Sequence, residues 1–236
     1  MAFRRRIAVL GSTGSIGRSV LSVVAANPGS FEVVSLSALT NVELLASQAE
    51  RFGARRVAVG KQARDEARLP RGVELDAGPP ALDDLASDPE VDLVVNALVG
   101  TAGLTVTAAA VRAGKRLAIA NKESLVMAGE WVTRMAERTG SELIPVDSEH
   151  SSIFRCIRGA ADGEIGGVVL TASGGPLRDL PPGGLSGVSV EEVLDHPTWD
   201  MGDKITVDSA TMANKAMEVI EARWLFGLGY EAIEVV

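Results

Sequence analysis

Residues 7–17 read IAVLGSTGSIG, four apolar residues running straight into glycines at Gly11, Gly14 and Gly17. Ile7, Ala8, Val9 and Leu10 read as a buried strand. The apolar positions Val20, Leu21, Val23 and Val24 that follow read as a helix ending near Asn27, Pro28 and Gly29. Between strand and helix the glycines fall as G-x-x-G-x-x-G, a variant of the dinucleotide-binding fingerprint. Residues without a Cβ let the turn tighten and the backbone approach a pyrophosphate, which the amides of the helix N-terminus can meet. A glycine-rich turn without ligand is the plain alternative, and the place between a strand and a helix speaks for the nucleotide.

Outward from this unit the alternation continues. EVVSLS at 32–37 is a second strand and VAV at 57–59 a third; VDLVVN at 91–96 is a stronger one, followed by GTAG at 100–103 and an apolar helix over 104–113. RLAIA at 116–120 is another strand, and NKES at 121–124 opens a helix through Val126, Met127, Trp131 and Met135. Residues 60–88 are polar and punctuated by proline and glycine, which predicts surface with one short helix. Repeated strand–helix alternation predicts an α/β fold, with a Rossmann-like, doubly wound parallel sheet covered on both faces. Ligands of such sheets sit beyond the carboxyl ends of the strands, where Thr13, Asn96, Asn121 and Asp147 fall. A free ribose 2′-hydroxyl usually meets an acid after the second strand. Here SALTN at 37–41 supplies none, which points to NADP rather than NAD, although no basic partner for a 2′-phosphate stands there either.

LIPVDSEHSSIF at 143–154 passes from an apolar segment into four polar residues and then into a helix-like segment. A strand continuing to Glu149 would place Asp147 and Glu149 on one face, where two carboxylates need a cation or a proton between them. Hard ions such as Mg²⁺ or Mn²⁺ take oxygen ligands of this sort. The alternative is a helix start, with Asp147 or Ser148 as N-cap and acids in the first turn. Asn121, Lys122 and Glu123 carry the same two readings, a helix cap or a lysine placed for an anionic substrate.

The remainder reads as an α+β region. IGGVVLTA at 165–172 is a strand, and SGGP at 173–176 after it is either a phosphate-binding nest of backbone amides or a simple turn. PPGG at 181–184 is a loop, and residues 190–194 form a turn or two of helix leading to HPTWDMG at 196–202. His196, Trp199 and Met201 between proline and glycine hinges suit a lid, against a purely structural histidine. VDS at 207–209 precedes a helix in which Thr211, Asn214, Lys215 and Glu218 share a polar face opposite Met212, Met217, Val219 and Ile220. That face is either solvated, with a surface Lys215–Glu218 pair, or functional. In the functional case Ser209, Asn214 and Lys215 grip phosphate and Glu218 adds a third carboxylate to Asp147 and Glu149.

At 236 residues the chain holds one large domain or two small ones, and 23% charged with 46% hydrophobic residues is ordinary for a globular protein. The net charge of −8 argues against nucleic acid or an anionic membrane as partner and leaves an anionic small molecule open. The single cysteine, Cys156, cannot form an internal disulfide, which fits a reducing cytoplasm, and it reads as a small buried hydrophobe in a helix. The arginine-flanked start, MAFRRR at 1–6, precedes an apolar run too short for a secretory signal, and no stretch approaches the roughly 18–20 apolar residues of a membrane span.

GSTGSIG at 11–17, ANKESLV at 120–126, PVDSEH at 145–150, TASGGP at 171–176, HPTWDMG at 196–202 and ITVDSATMANKAMEVIEARWLF at 205–226 together carry a resemblance. On these stretches the chain resembles the 1-deoxy-D-xylulose 5-phosphate reductoisomerase family of the methylerythritol phosphate route to isoprenoids. The resemblance implies an oxidoreductase that uses NADPH and Mg²⁺ or Mn²⁺. Such an enzyme rearranges the substrate's carbon skeleton to an aldehyde and reduces it to 2-C-methyl-D-erythritol 4-phosphate. By position Thr13, Gly14, Ser15 and Ile16 would hold NADPH, with Asn41, Asn121, Glu123 and Gly202 near it. Asp147, Glu149 and Glu218 would bind the metal. Lys122, Ser148, Glu149, Ser173, His196, Ser209, Asn214, Lys215 and Glu218 would meet the substrate, with Lys122, Asp147, Glu149, His196 and Glu218 as the catalytic set and Trp199 as cover. It also implies an NADPH-binding domain over 1–145, a catalytic domain over 146–236, and the homodimer of the full-length family. Family members run longer than this chain, so a C-terminal part of the catalytic domain is expected to be missing. Leu39 and Thr40 depart from the glycine and basic residue usual in the family before Asn41. Two other readings stand beside this one. One is an NADP-binding module that turns nothing over; the other is a Rossmann oxidoreductase of semialdehyde dehydrogenase type, against which stands the lack of a plausible catalytic cysteine near Cys156.

Overall fold

The computed structural model describes residues 4–65, 67–161, 163–181, 183–199 and 201–236. The first three residues of the arginine-flanked start, Asp162, Pro182 of the 181–184 loop and Asp200 of the 196–202 loop lie outside the described residues. Two compact units divide the chain, Met1–Asp147 and Ser148–Val236.

The first unit is a seven-stranded sheet in the order β4-β3-β2-β1-β5-β6-β7, every pairing parallel. Its strands are β1 (Arg5–Leu10), β2 (Phe31–Ala38), β3 (Arg56–Val59), β4 (Glu74–Ala77), β5 (Leu93–Asn96), β6 (Arg116–Ile119) and β7 (Leu143–Pro145). The helices between them are α1 (Ser15–Ala26), α2 (Val42–Phe52), α3 (Pro79–Ser87), α4 (Ala102–Arg112) and α5 (Lys122–Thr139). Short apolar runs form the middle strands because a parallel strand between two helix layers is buried on both faces. Ile7 and Val9 meet Leu36, Val57 and Val95 in one core layer with Leu21 of α1 and Val42, Leu45 and Ala49 of α2, while α3 and α4 pack on strands of the same sheet and on each other. Leaving β1, the chain builds outward through β2, β3 and β4, then returns to pair β5 with the other edge of β1, Ile7 opposite Leu93 and Leu10 opposite Asn96. The reversal between β1 and β5 opens a crevice at the carboxyl edge.

Two expectations for this unit need correction. Residues 60–88 hold a strand as well as a helix: β4 pairs with β3 from Arg56–Glu74 to Val59–Ala77, and α3 starts on two prolines. ELDA carries a weak strand signal because an edge strand has one neighbour and needs little apolar surface. The strand at 143 stops at Pro145; Val146 N makes one last bond to the Ile119 carbonyl, and the chain then turns into a helix at Ser148, so no strand reaches Glu149 and the shared-face geometry does not hold.

The second unit starts with α6 (Ser148–Ile157), with Glu149 in its first turn. β8 (Val168–Leu170) pairs in parallel with β9 (Ile233–Val235), a shorter strand than 165–172. α7 (Val190–Leu194) opens on a capping box between Ser189 and Glu192; α8 (Asp203–Ala210) and α9 (Ala213–Phe226) follow. Here too the structure departs from the sequence expectation. Residues 207–209 lie inside α8, and Thr211 closes α8 rather than joining the face of α9. Met212, at φ +62° the one non-glycine residue with positive φ among those described, separates the two helices. Lys215, Glu218, Glu221 and Ala222 are the buried residues of α9, while Met217, Val219 and Ile220 are half-buried, so the polar face points inward. Cys156 is exposed on α6, not buried. Among the described residues no helix is long and apolar enough to cross a membrane.

Candidate active site

In the first unit the glycine turn is set by close approach. Gly11, at φ +87°, turns the chain after β1, and a Cβ there would lie 2.6 Å from the Ala97 carbonyl oxygen. A Cβ on Gly17 would lie 2.3 Å from the Gly11 oxygen, so the first turn of α1 packs directly on the loop. Gly14 stands at the N-cap, and among the described residues no side chain caps α1, which leaves its first amides facing outward as an anion cradle. A buried polar latch fixes the loop from behind. Gly11 N donates to Ser37 Oγ at 3.0 Å and Ser12 N to the Ser37 carbonyl at 2.8 Å. Ser12 Oγ donates to Gln48 Oε1 at 2.7 Å, and Gln48 Nε2 to the Ser12 carbonyl at 3.0 Å. With Ser12 turned inward, Gly14, Ser15 and Ile16 are exposed and Thr13 is half-buried. Ile16, Leu39 and Val99 are exposed apolar side chains after β1, β2 and β5, a surface suited to the flat rings of a dinucleotide.

Two asparagines of the expected cofactor set act as caps. Asn41 Oδ1 accepts from Leu44 N at 3.1 Å at the start of α2. Asn121 Oδ1 accepts from Ser124 N at 3.0 Å, and its Nδ2 donates to the carbonyls of Leu98 and Gly100 at 3.0 and 2.9 Å and to Glu123 Oε2 at 3.0 Å. Asn121 thereby straps the loop after β5 to α5. Gly103 is needed beneath it, since a Cβ there would lie 2.2 Å from Asn121 Cγ. Asn96 is likewise a buried strut, donating to the Gly103 carbonyl at 2.8 Å and Thr107 Oγ1 at 3.0 Å. Lys122, buried at the start of α5, donates to Asp147 Oδ2 at 2.7 Å.

The second unit gathers its polar residues around one ammonium. Lys215 Nζ donates to Glu149 Oε1 at 3.0 Å, to the Thr171 carbonyl at 2.6 Å and to Glu218 Oε2. Ser148 Oγ donates to Glu149 Oε2 and Asn214 Nδ2 to Glu218 Oε1, each at 2.5 Å. Carboxylates of Glu149 and Glu218 lie within 4.8 Å of one another, on α6 and α9. Hard oxygen donors converging on one cationic point fit a divalent ion such as Mg²⁺ or Mn²⁺. Thr171 leads into the glycine turn at 173–176, where Gly174 and Gly175 take φ +80° and +67° and Gly175 N donates to Ser173 Oγ at 3.3 Å. A Cβ on Gly175 would lie 2.2 Å from the Ser209 carbonyl oxygen, so the turn packs on the end of α8. His196 Nδ1 accepts from the amides of Thr198 and Trp199, both at 3.1 Å, which leaves Nε2 as the protonated nitrogen, 3.2 Å from Ser173 Oγ. The loop at 196–199 thus wraps around His196, with Trp199 exposed. Gly202 is the N-cap of α8.

Three features of the site carry little signal in the sequence. Gln48 and Ser37 form the latch, the Thr171 carbonyl holds Lys215, and His150 is buried against α9 with Nε2 2.8 Å from the Glu218 carbonyl oxygen and its ring stacked on Phe226. His150 fixes α6 on α9 and so sets Glu149 opposite Glu218. Its place one residue after Glu149 was the only signal.

Residues 7–129 match the signature of 1-deoxy-D-xylulose 5-phosphate reductoisomerase, and residues 143–226 match that of the 1-deoxy-D-xylulose 5-phosphate reductoisomerase C-terminal domain. The 1-deoxy-D-xylulose 5-phosphate reductoisomerase of Trichlorobacter lovleyi is 50% identical over 98% of this chain and 60% of its own length. A crystal structure of DOX-P reductoisomerase in complex with NADPH, fosmidomycin and magnesium superposes with a TM-score of 0.92 at 38% identity, over 98% of this chain and 60% of that one. The Zymomonas mobilis enzyme in complex with NADPH gives 0.85 at 38% identity, over 99% and 61%. The chain therefore spans about 60% of the length of the relatives it matches.

Proposed function

Because this chain belongs to the 1-deoxy-D-xylulose 5-phosphate reductoisomerase family, we propose that it acts on 1-deoxy-D-xylulose 5-phosphate with NADPH and Mg²⁺ or Mn²⁺. The product would be 2-C-methyl-D-erythritol 4-phosphate, made in the cytoplasm for isoprenoid synthesis. The observation that carries this reading is the convergence of Glu149 and Glu218 on one cationic point in the unit that also holds the glycine turn at 173–176.

Residues 1–145 are assigned to NADPH and 146–236 to metal and substrate. Thr13, Gly14, Ser15 and Ile16 hold the pyrophosphate on the uncapped first turn of α1. Asn41, Asn121 and Glu123 shape the loops around the cofactor, and Gly202 borders it. Glu149, Glu218 and Asp147, two residues before Glu149, are the metal ligands. When bound, the ion supplies Lewis acidity to the substrate's carbonyl and neighbouring hydroxyl oxygens, and NADPH supplies the hydride. The rest is binding and orientation. Ser173, Ser209, Asn214, Lys215 and His196 take the phosphate, so binding energy remote from the reacting carbons fixes their alignment. Ser148 and Lys122 donate to substrate oxygens, and the loop bearing Trp199 excludes water. Beyond the substrate, the partner expected for the full-length family is a second copy of the chain, with neither nucleic acid nor membrane.

The test is to incubate the chain with substrate, NADPH and Mn²⁺ and analyse products by mass spectrometry. A branched polyol phosphate formed in step with NADPH loss supports the assignment. Cofactor binding without product would leave an NADP-binding module.

A further inference from the structure

Lys215 has no donor to spare. An ammonium carries three N–H bonds, and the acceptors at Lys215 are three: Glu149 Oε1 on α6, Glu218 Oε2 on α9 and the Thr171 carbonyl after β8. The residue is 5% exposed. Held in this way it cannot also grip a phosphate. The second oxygens of the two carboxylates are engaged as well, Glu149 Oε2 by Ser148 and Glu218 Oε1 by Asn214. The lone pairs that converge between α6 and α9 are therefore the ones the ammonium takes. A divalent cation on Glu149 and Glu218 needs those same lone pairs, and two positive charges at that separation repel.

Resting on the reading that Glu149 and Glu218 ligate a divalent cation, we propose that Lys215 is an exchanging counter-ion. The cation displaces its ammonium from both carboxylates, and the released donors turn to the anionic group of the substrate. The Thr171 carbonyl lies two residues before Ser173, so the ammonium can pivot on that bond to face the glycine turn at 173–176. Cation and anion binding are then coupled through one side chain, and by linkage each tightens the other by the same factor. A lysine fixed in place would attract the anion and repel the cation, without linking the two through its own movement.

Calorimetry of Mg²⁺ binding with and without inorganic phosphate, on the wild-type chain and Lys215→Met, tests the coupling. The expected result is that phosphate tightens Mg²⁺ by about fivefold or more in the wild type and by a factor near one in Lys215→Met. An undiminished coupling in the variant overturns the proposal. A second measurement needs no variant. Acetylation of Lys215 in the wild-type chain, followed by peptide mass spectrometry, is expected to speed up by about an order of magnitude on saturation with Mg²⁺ and to slow again when phosphate is added. Mg²⁺ that binds, by calorimetry, without changing the labelling rate sinks the exchange and leaves the metal site standing. Mg²⁺ that fails to bind, or binds equally well to Glu149→Gln/Glu218→Gln, sinks the metal reading and the exchange with it.

Discussion

Gly17 and Lys215 show how unequally single residues announce themselves. The glycines of 11–17 were legible because only a residue without a side chain fits where a Cβ would lie 2.3 Å from the Gly11 oxygen. Gly17→Ala is expected to lose about tenfold or more in NADPH affinity, read from nicotinamide fluorescence, and about 1–3 kcal/mol of stability from backbone overpacking. Normal affinity in that variant would contradict the cradle. The burial of Lys215 and Glu218 was not legible. Helical spacing says which residues share a face, never which way the face turns, and Met212, Met217, Val219 and Ile220 pointed the opposite way. Gln48 was silent for a similar reason, since its bonds to Ser12 cross 36 positions of sequence.

At the scale of elements, the strongly apolar strands and the capped helices could be read, while the edges could not. β4 has a single neighbour and little apolar content, and β7 gives way to α6 at Ser148, an ending that periodicity does not foretell. Joints between elements carry two further predictions. Met212 sits at φ +62° between α8 and α9 with its side chain exposed, a conformation costing about 1 kcal/mol for a residue with a Cβ. Met212→Gly should therefore leave Tm unchanged or raised, whereas glycine in a helix interior lowers it; a clear fall in Tm would contradict the strained joint. Arg6 at the start of β1 donates through its backbone N and its guanidinium to Asp92 just before β5. These bonds, the Arg6 side chain's first, hold the Asp92 carboxyl below its usual range. A depressed carboxyl adds stability above its unfolded value, and that stability is lost as pH falls through the folded value. Asp92→Asn should lower Tm at neutral pH, with the difference closing in acid; a difference that persists or grows in acid would rule this out.

For the whole molecule, each unit has its own polar centre, the glycine turn in Met1–Asp147 and the Lys215 cluster in Ser148–Val236, while the hydrophobic core cluster lies in the first. Alternating strands and helices made the first unit readable as a doubly wound sheet. The second has short elements and few strands, so its residues were legible through motif resemblance far more than through periodicity. The chain spans about 60% of the length of the relatives it matches. The decisive measurement is steady-state NADPH oxidation with 1-deoxy-D-xylulose 5-phosphate across a Mn²⁺ titration, for the wild-type chain and Glu218→Gln. The expected result is Mn²⁺-dependent turnover in the wild type that falls on the order of 10²-fold or more in Glu218→Gln, with NADPH binding intact. Turnover in Glu218→Gln equal to wild type at the same Mn²⁺ concentration would contradict the placement of the metal on Glu149 and Glu218.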